Sequence, residues 1–466
     1  MPKSSGDVLV SEPPGERLEV CVSVPAKDEE ELLPSALRAL AEQKTDSGEP
    51  IAHERYEVIL LINNTRDRSR QVAEQFKRLY PTFQLHIVER NFKKSHSHNG
   101  YVRRLLMDEA CRRLESRDLH DSPILSTDSD SQVAPNWISR NREELTSGAE
   151  AVGGRIVIPA CEECLLDPAT RAIQRYDHLY RRLVAWVEDS LDPQAHDPWP
   201  RHHQHFGASF AVTPRVYKRI GRMPPRRYLE DIALYQALMR HDVRLRHSNK
   251  VRVFTSARLA GRARFGLSSE LTYWQSRGKK VMRVPVERRE FLEYLFIARR
   301  RLRLLWLDYR DTAAISERRV RDIARITGIH FAHLMAELQS APRFGVLLER
   351  IAFYEACRKM WPDQLRLAPM KNVVDELLAA FRRSTRLAAP KHQFDTDRYE
   401  LVSSIPILAA SAAVRVHHLP GAGSPAQLLT SEPATNGRPT QYASSSSRLT
   451  LQDLRVTSNN QLPTEP

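Results

Sequence analysis

The chain has 466 residues, 41% hydrophobic and 27% charged, a composition that excludes a fibrous or wholly disordered protein. Its 71 lysines and arginines against 57 acids give a net charge of +14, which favours anionic partners such as nucleotides, phosphorylated sugars, anionic membranes or nucleic acid. An arginine-rich proteome would give the same charge without any specific partner. No stretch approaches the ~20 apolar residues of a membrane span and no apolar signal core is visible, so we expect neither feature.

The first element is predicted as a strand. Residues 1–17 are expected to be disordered, and valines then alternate with smaller residues from Leu18 to Val24. Acidic residues 28–31 follow. They suit the positive end of a helix dipole, so a helix is predicted to begin there, with Leu33 and Leu37 on its buried face.

Strands and helices continue to alternate along the next hundred residues. Strands are predicted at Val58 to Ile62, Phe83 to Val88 and Pro123 to Thr127, and helices at Ser69 to Leu79 and Gly100 to Leu114. This alternation predicts an α/β fold, a mostly parallel sheet flanked by helices, over residues 18–283. Ligands of such sheets bind beyond the carboxyl ends of the strands. We therefore expect residues 26–30, 63–67 and 128–130 to line one edge.

Asp128 and Asp130 form an acid pair at the tip of a predicted strand. Two carboxylates this close repel each other, and a folded site keeps such a pair mainly when a cation lies between them. Mg²⁺ and Mn²⁺ accept one or two carboxylates and take their remaining ligands from water and phosphate oxygens. An ordinary acidic turn is the alternative, but the position at a strand end favours a metal site for a diphosphate.

A second acid pair, Glu230 and Asp231, precedes a helix predicted at Ile232 to Met239. Acids at a helix start are explained by capping alone. The functional alternative is that one of them is a general base, which takes a proton from an attacking hydroxyl.

The segment before this second pair combines small residues with histidines. Gly207, Ala208 and Ser209 allow close approach of a ligand to the backbone. The spacing of the nearby histidines matches no standard set of metal ligands, so we predict a solvated loop there. These histidines are His202, His203 and His205.

Two basic loops are candidates for phosphate contacts. Arg258, Arg262 and Arg264 follow a strand predicted at Lys250 to Thr255, and their planar guanidinium groups suit phosphate oxygens. Ordinary surface charge is the alternative for these arginines. A basic loop at residues 92–100 either meets the nucleotide or is simply solvated.

The chain changes character after residue 283. Residues 284–400 are predicted to form a helical C-terminal region, in which Leu302, Leu305 and Trp306 recur at helical spacing and favour a helix docked on the body. A membrane-surface or nucleic-acid face is the alternative. Residues 401–466 are mostly Pro, Gly, Ser, Thr and Asn, and we expect them to be largely disordered.

In order and spacing, these motifs resemble the family 2 glycosyltransferases, which have the GT-A nucleotide-sugar fold. Residues 22–30 resemble their opening strand and acidic turn, and residues 63–69 stand where they carry an acidic nucleotide-binding turn. The segment 128–130 matches their metal-binding Asp-x-Asp. Residues 207–212, followed by the acid pair at 230–231, match their acceptor loop and catalytic acids.

The resemblance extends from Leu18 to Gly266 and includes two departures. Asn63 and Asn64 replace acids near the base, which leaves the identity of the nucleotide open. The Gln-x-x-Arg-Trp motif of the processive members is absent, with only a loose echo at residues 274–277, so we do not expect chain polymerisation coupled to export.

The resemblance implies an inverting, metal-dependent glycosyltransferase that moves a sugar from a nucleotide-sugar to a hydroxyl acceptor. It implies that Asp128 and Asp130 hold Mg²⁺ or Mn²⁺ and that Asp231, rather than Glu230, is the base. Binding of the nucleotide-sugar is expected of Pro25, Lys27, Glu29, Asn63, Asn64, Asp67, Asp128, Arg258, Arg262 and Arg264, and acceptor binding of Gly207, Ala208 and Ser209.

Two other functions were weighed against this one. A sugar nucleotidyltransferase needs a glycine-rich turn after the first strand, and residues 25–28 contain no glycine. A non-enzymatic polyanion-binding protein is supported by charge alone, and nucleic acid is not an expected partner. The expected role is in surface polysaccharide, glycolipid or small-molecule glycoside synthesis. The expected location is the cytoplasm, with peripheral contact to the anionic inner membrane face as a further possibility.

Overall fold

The computed structural model describes residues 8–259, 261, 266–277 and 284–387. These residues form a large curled sheet with helices on both faces, followed by a helical C-terminal region. The predicted fold class is therefore confirmed. Within the described part of the chain, no helix has the length and apolarity required to span a bilayer.

Eight strands of the described chain form the main sheet, in the order β3-β2-β1-β4-β7-β6-β8-β5. They are β1 (Val20–Ala26), β2 (Tyr56–Asn63), β3 (Leu85–Arg90), β4 (Ile124–Thr127), β5 (Ser131–Val133), β6 (Ala151–Val157), β7 (Ser209–Val212) and β8 (Leu245–Thr255). Strands β1 to β4 pair in parallel, whereas β7 runs antiparallel to both β4 and β6. The carboxyl ends of β1, β2 and β4 consequently meet at one edge of the sheet.

The helices fall into two groups. Those of the sheet domain are α1 (Leu33–Ala41), α2 (Ser69–Leu79), α3 (Asn99–Glu115), α4 (Trp137–Thr146), α5 (Ala160–Glu163), α6 (Pro168–Leu191), α7 (Pro214–Arg219), α8 (Glu230–Arg240) and α9 (Leu267–Arg277). Those of the C-terminal region are α10 (Arg289–Thr312), α11 (Glu317–Thr327), α12 (Phe331–Ser340), α13 (Phe344–Arg350), α14 (Phe353–Lys359), α15 (Asp363–Arg366) and α16 (Met370–Leu387). A two-stranded ribbon of β9 (Pro285–Glu287) and β10 (Leu367–Pro369) joins the ends of this region.

The central strands are mostly apolar because both of their faces are covered. Every residue of β1, β2 and β4 is buried. Helices α3, α7 and α8 cover one face, and α1, α2 and α4 cover the other. Parallel strands in such a position need apolar side chains on both sides. This packing holds the edge that carries the polar residues in a fixed position.

The C-terminal region docks on α6 through a shared apolar core. Leu183 and Val187 of α6 belong to the same cluster as Leu302 and Leu305 of α10. The predicted docking of this amphipathic helix is therefore confirmed. The helical region extends to residue 387, and residues 388–466, which include the predicted disordered tail, lie outside the described residues.

The predicted disorder of residues 1–17 is wrong for residues 8–17. Leu9 and Val10 are buried, and their amides each donate to the Glu109 carboxylate on α3 at 3.4 Å. Arg113 of α3 also donates to the Glu12 carbonyl at 2.6 Å. This short segment is thus held on α3 by hydrogen bonds with Glu109 and Arg113.

The acids at residues 28–31 do not begin a helix. Helix α1 begins only at Leu33, and no side chain caps it. Asp28 has a φ of +50° and accepts a hydrogen bond from the Arg66 amide at 2.7 Å, while Glu30 accepts one from the Arg68 amide at 3.0 Å. Asp28 and Glu30 therefore join the loop after β1 to the loop after β2, because their carboxylates accept hydrogen bonds from backbone amides of the second loop.

Candidate active site

The carboxyl edge of the sheet opens into a cavity of about 2220 Å³ that continues between the sheet domain and the C-terminal helices. Most of the side chains that the sequence predicted for the site line this one cavity. They are Pro25, Lys27, Glu29, Asn63, Asp128, Asp130, Gly207, Ala208, Glu230, Asp231 and Arg258. The ends of β1 and β2, the loops after β1, β4 and β8, the segment before β7 and the start of α8, all distant in sequence, are therefore brought together.

Each acid of the Asp128 and Asp130 pair meets an arginine. Asp128 Oδ1 accepts a hydrogen bond from Arg103 Nη2 at 2.6 Å, and Asp130 Oδ2 accepts one from Arg258 Nη2 at 2.7 Å. The Arg258 guanidinium also donates hydrogen bonds to both carboxylate oxygens of Glu29, at 2.8 and 2.9 Å. Burial, with Asp128 and Glu29 adding to it, raises the pKa of Asp130 to about 6 despite Arg258.

The donor set of this pair fits a hard divalent cation. Both carboxylates line the cavity, and the Asp128 side chain remains 34% exposed. Among the described residues, no group of three or more His, Cys, Asp or Glu side chains is placed to hold a metal. Mg²⁺-type sites that use one or two carboxylates obtain the rest of their ligands from substrate phosphates and water. Burial, and after it the charge of Asp128, raises the pKa of Asp130, and a bound cation would favour its charged form.

The second acid pair begins α8 at the same cavity. Leu229 has a φ of +55°, which turns the chain immediately before the helix. Glu230 is 8% exposed and accepts a hydrogen bond from Asn99 Nδ2 at 2.7 Å. Burial and the neighbouring Asp231 raise the pKa of Glu230 to about 7.

Asp231 is the more accessible acid of this pair. Its Oδ1 accepts a hydrogen bond from the Ile232 amide at 2.8 Å, and its side chain is half-buried on the cavity wall. Burial raises the pKa of Asp231 above its ordinary value. Glu230 is thus fixed by its partners, whereas Asp231 is placed to meet a ligand.

Arg103 of α3 joins the two acid pairs. Its guanidinium, only 2% exposed, donates to Asp128 at 2.6 Å and to the Gly207 carbonyl at 3.0 Å, and its Nε lies 3.9 Å from Glu230 Oε1. A Cβ on Gly207 would lie 2.7 Å from the Arg103 guanidinium, so only glycine leaves room for this contact. Although burial lowers it, the pKa of Arg103 is raised by Asp128 and Glu230.

The sequence analysis did not identify Arg103. A signal was present, because Arg103 precedes Leu106, Met107 and Ala110 by three, four and seven positions and therefore lies on the buried face of α3. A charged side chain on such a face needs a buried partner. Asn99, which holds Glu230, has no comparable signal.

Three predicted binding residues are engaged outside the cavity lining. The Asn64 side chain pairs with the backbone of Phe92, at 2.9 and 3.1 Å. Asp67 accepts hydrogen bonds from the amides of Glu30 and Ser69, at 2.9 and 3.0 Å. Ser209 accepts one from Trp137 Nε1 at 3.0 Å. These hydrogen bonds give Asn64, Asp67 and Ser209 structural partners, and their predicted binding roles remain predictions.

The predicted arginine loop is described only in part. Arg258 pairs with two acids of the site, whereas Arg262 and Arg264 lie outside the described residues. The described end of this loop therefore supplies a cation to Glu29 and Asp130.

The histidines before β7 are buried, contrary to the predicted solvated loop. His202 and His205 are 3% and 5% exposed. His202 pairs with the Ser248 carbonyl and accepts a hydrogen bond from the Gln204 amide, while the His205 ring stacks on Tyr235 with centroids 3.8 Å apart. Burial lowers the pKa of His205 to about 3, so the ring is neutral. Helices α6 and α8 cover this segment, which the local sequence did not reveal.

The sheet order, the Asp-x-Asp after β4 and the acid pair opening α8 are consistent with the GT-A fold. Residues 21–189 match the family model described as Glycosyl transferase family 2. This part of the chain is a family 2 glycosyltransferase domain, and the predicted family and enzyme class are confirmed.

Similar solved structures include three glycosyltransferases at low identity. The mannosyltransferase PcManGT from Pyrobaculum calidifontis, in complex with GDP-Man and Mn²⁺, is 15% identical over 82% of this chain and 84% of that one, with a TM-score of 0.37. S. aureus TarS 1–349 in complex with UDP-GlcNAc is 13% identical over 73% and 92%, with a TM-score of 0.36. M. tuberculosis glucosyl-3-phosphoglycerate synthase is 14% identical over 55% and 77%, with a TM-score of 0.30. No curated protein matches the sequence.

Proposed function

We propose that the protein is an inverting, metal-dependent glycosyltransferase that moves a sugar from a nucleotide-diphosphate sugar to a hydroxyl group of an acceptor. The observation that supports it most is the convergence of two acid pairs on one cavity, with Arg103 between them. One pair suits a metal-bound diphosphate, and the other suits proton removal.

The donor is proposed to lie along the ends of β1, β2 and β4. Pro25, Lys27, Glu29 and Asn63 line that part of the cavity and would contact the nucleotide. Asp128 and Asp130 would hold Mg²⁺ or Mn²⁺. When bound there, the cation would offset the charge that develops on the leaving diphosphate.

The chain's own residues would prepare both reactants. Arg103 holds Asp128 in place, and Arg258 holds Asp130 and Glu29. Asp231 would accept the proton of the acceptor hydroxyl as its oxygen attacks the anomeric carbon. Attack opposite to the departing diphosphate inverts the anomeric configuration, and Glu230, held by Asn99, would keep Asp231 oriented.

A thermal-shift screen of nucleoside diphosphates, with and without Mn²⁺, tests the donor half. A ligand that binds only the folded chain raises its melting temperature. We expect one nucleotide to stabilise the wild type in the presence of Mn²⁺ and to lose most of that effect in the Asp128→Asn and Asp130→Asn variants. Stabilisation that survives exhaustive chelation or both substitutions would contradict the metal assignment.

A product assay tests the reaction itself. Release of the nucleoside diphosphate from a nucleotide-sugar, with the sugar joined to the acceptor in inverted configuration, is the expected result. Pyrophosphate release from a nucleoside triphosphate and a sugar phosphate would instead favour a nucleotidyltransferase.

A further inference from the structure

The cations that line the cavity are almost all matched by acids of the chain itself. Arg181, for example, pairs with Asp177, and Arg240 pairs with Glu349. Within the described residues, the lining cations that lack an acid partner are Lys27 and Arg227. Lys27 belongs to the proposed donor end, next to Glu29, which leaves Arg227 as an unmatched cation elsewhere on the wall.

Arg227 lies in the chain just before the second acid pair. It precedes Glu230 by three residues, is exposed, and lies over the Tyr228 ring with 5.7 Å from its guanidinium carbon to the ring centroid. Arg226 beside it likewise has no acid partner in the described part of the chain. Arg227 lines the cavity together with Asp231, so an anion held by Arg227 would share the cavity with a hydroxyl presented to Asp231.

A second basic loop, residues 92–100, packs against the segment that carries Arg226 and Arg227. Gly100, at the start of α3, packs so tightly on the Arg226 carbonyl that any Cβ would clash with it. Asn99, the residue before Gly100, donates a hydrogen bond to Glu230 at 2.7 Å. Lys93 and Lys94 lie on this loop, are exposed, and pair with no acid of the described chain. The two loops together form a basic rim, which we define as Lys93, Lys94, Arg226 and Arg227.

The positive charge of the basic rim would offset the negative charge of the site. The carboxylates of Glu29, Asp128, Asp130, Glu230 and Asp231 line the same cavity, and their negative charge would repel an anionic acceptor. A planar guanidinium group with no acid partner binds oxyanions through two parallel hydrogen bonds. Its position at the acid pair assigns that oxyanion to the acceptor, because the donor diphosphate is accounted for at Asp128 and Asp130.

We infer that the acceptor carries a phosphate group, which the basic rim binds beside the reacting hydroxyl. This inference rests on the proposed function for the direction of the reaction. The phosphate is either that of a soluble phosphate ester or that of a phospholipid headgroup, and both present the same chemistry to Arg227.

The test is calorimetric titration of the full chain, with its donor site filled by Mg²⁺ and the nucleotide found by thermal shift. The probes are glycerol 3-phosphate and glycerol. We expect the phosphorylated probe to bind at least about tenfold more tightly than glycerol, and the Arg226→Gln, Arg227→Gln double variant to lose at least about tenfold of that affinity.

The matched control is the Lys77→Gln, Arg78→Gln double variant. It removes the same charge from two adjacent exposed cations in the last turn of α2, away from the cavity lining. It should bind glycerol 3-phosphate as the wild type does. Equal losses in both double variants would mean that only net charge matters, and the inference would be wrong.

Vesicles distinguish the source of the phosphate. Co-sedimentation with phosphatidylglycerol vesicles, but not with phosphatidylcholine vesicles, that depends on Arg226 and Arg227 would assign a lipid headgroup. Absence of binding to both glycerol 3-phosphate and phosphatidylglycerol in the wild type overturns the inference. If no nucleotide binds, the proposed function is wrong. Phosphate binding by the basic rim can still be tested, by the same titration of the chain without Mg²⁺ and nucleotide.

Discussion

The two acid pairs of this site are built differently, although both face Arg103. Asp128 and Asp130 each accept a charged hydrogen bond from a separate arginine, at 2.6 and 2.7 Å. Glu230 accepts its hydrogen bond from a neutral amide, and its nearest arginine nitrogen lies 3.9 Å away. Burial and the neighbouring Asp231 raise the pKa of Glu230 to about 7. The first pair is therefore matched by arginine charges, whereas the second pair depends on a neutral amide and on the more distant Arg103.

The largest loss of activity is expected for Asp231→Asn. The amide cannot accept the hydroxyl proton, so turnover should fall at least about 100-fold. Nucleotide binding should persist, because the donor residues are untouched. Asp121→Asn, at an exposed acid paired with Arg215, is the control and should retain wild-type turnover. Near-normal turnover of Asp231→Asn would remove this residue from the mechanism.

Loss of Arg103 should affect both pairs at once. Arg103→Met leaves Asp128 and Glu230 without their shared cation, and breaking such a buried pair costs on the order of 3 kcal/mol of unfolding free energy. Urea unfolding measures this loss. Arg104→Met, at the next position of α3, removes a half-exposed arginine 3.6 Å from Asp108 and should cost below about 1 kcal/mol.

Activity distinguishes a positioning role of Arg103 from a purely structural one. Arg103→Lys keeps the charge but loses the fork that reaches Asp128 and Gly207 together. We expect kcat to fall more than the melting temperature would explain, together with weaker metal-dependent nucleotide binding. A variant as active as the wild type would limit Arg103 to packing.

The raised pKa of Glu230 makes a prediction about pH and stability. Between about pH 4.5 and 7 the folded chain keeps a proton on Glu230 that the unfolded chain has released, so stability should decrease as pH rises through this range. Glu230→Gln removes this contribution, on the order of 1 to 3 kcal/mol. Urea unfolding at pH 5 and pH 8 should show a smaller pH effect in Glu230→Gln. Glu349→Gln, an exposed acid, should behave as the wild type, and an unchanged pH effect in Glu230→Gln would refute the assignment.

The smallest effect on function is expected at Asp67. Asp67→Ala removes hydrogen bonds to the amides of Glu30 and Ser69 and should cost about 1–2 kcal/mol of stability. Nucleotide affinity should remain within about twofold, because Asp67 is not part of the cavity lining. Asn63→Ala, at a residue that lines the cavity, should weaken it more. The reverse order would support the predicted binding role of Asp67.

Much of the site was predictable because its acids are close in sequence and follow recognisable elements. Asp128 and Asp130 end a buried strand, and Glu230 and Asp231 begin a helix, so local pattern alone placed both pairs at element ends. Side chains whose partners are distant in sequence were not predictable in this way. Arg103 meets Gly207, and Arg258 meets Glu29, across more than a hundred residues, and local periodicity contains no information on such pairs.

The sequence alone determined the alternation of strands and helices as far as β4 and the resemblance to the family, because buried parallel strands are mostly apolar and helices repeat their apolar residues at helical spacing. Only the tertiary structure decided which polar side chains face the cavity. It buried His202 and His205 under α6 and α8, turned Asn64 and Ser209 toward structural partners, and placed Arg227 at the acid pair. The physical reason is that burial and charge pairing depend on all the elements around a group, whereas secondary structure depends mostly on its neighbours along the chain.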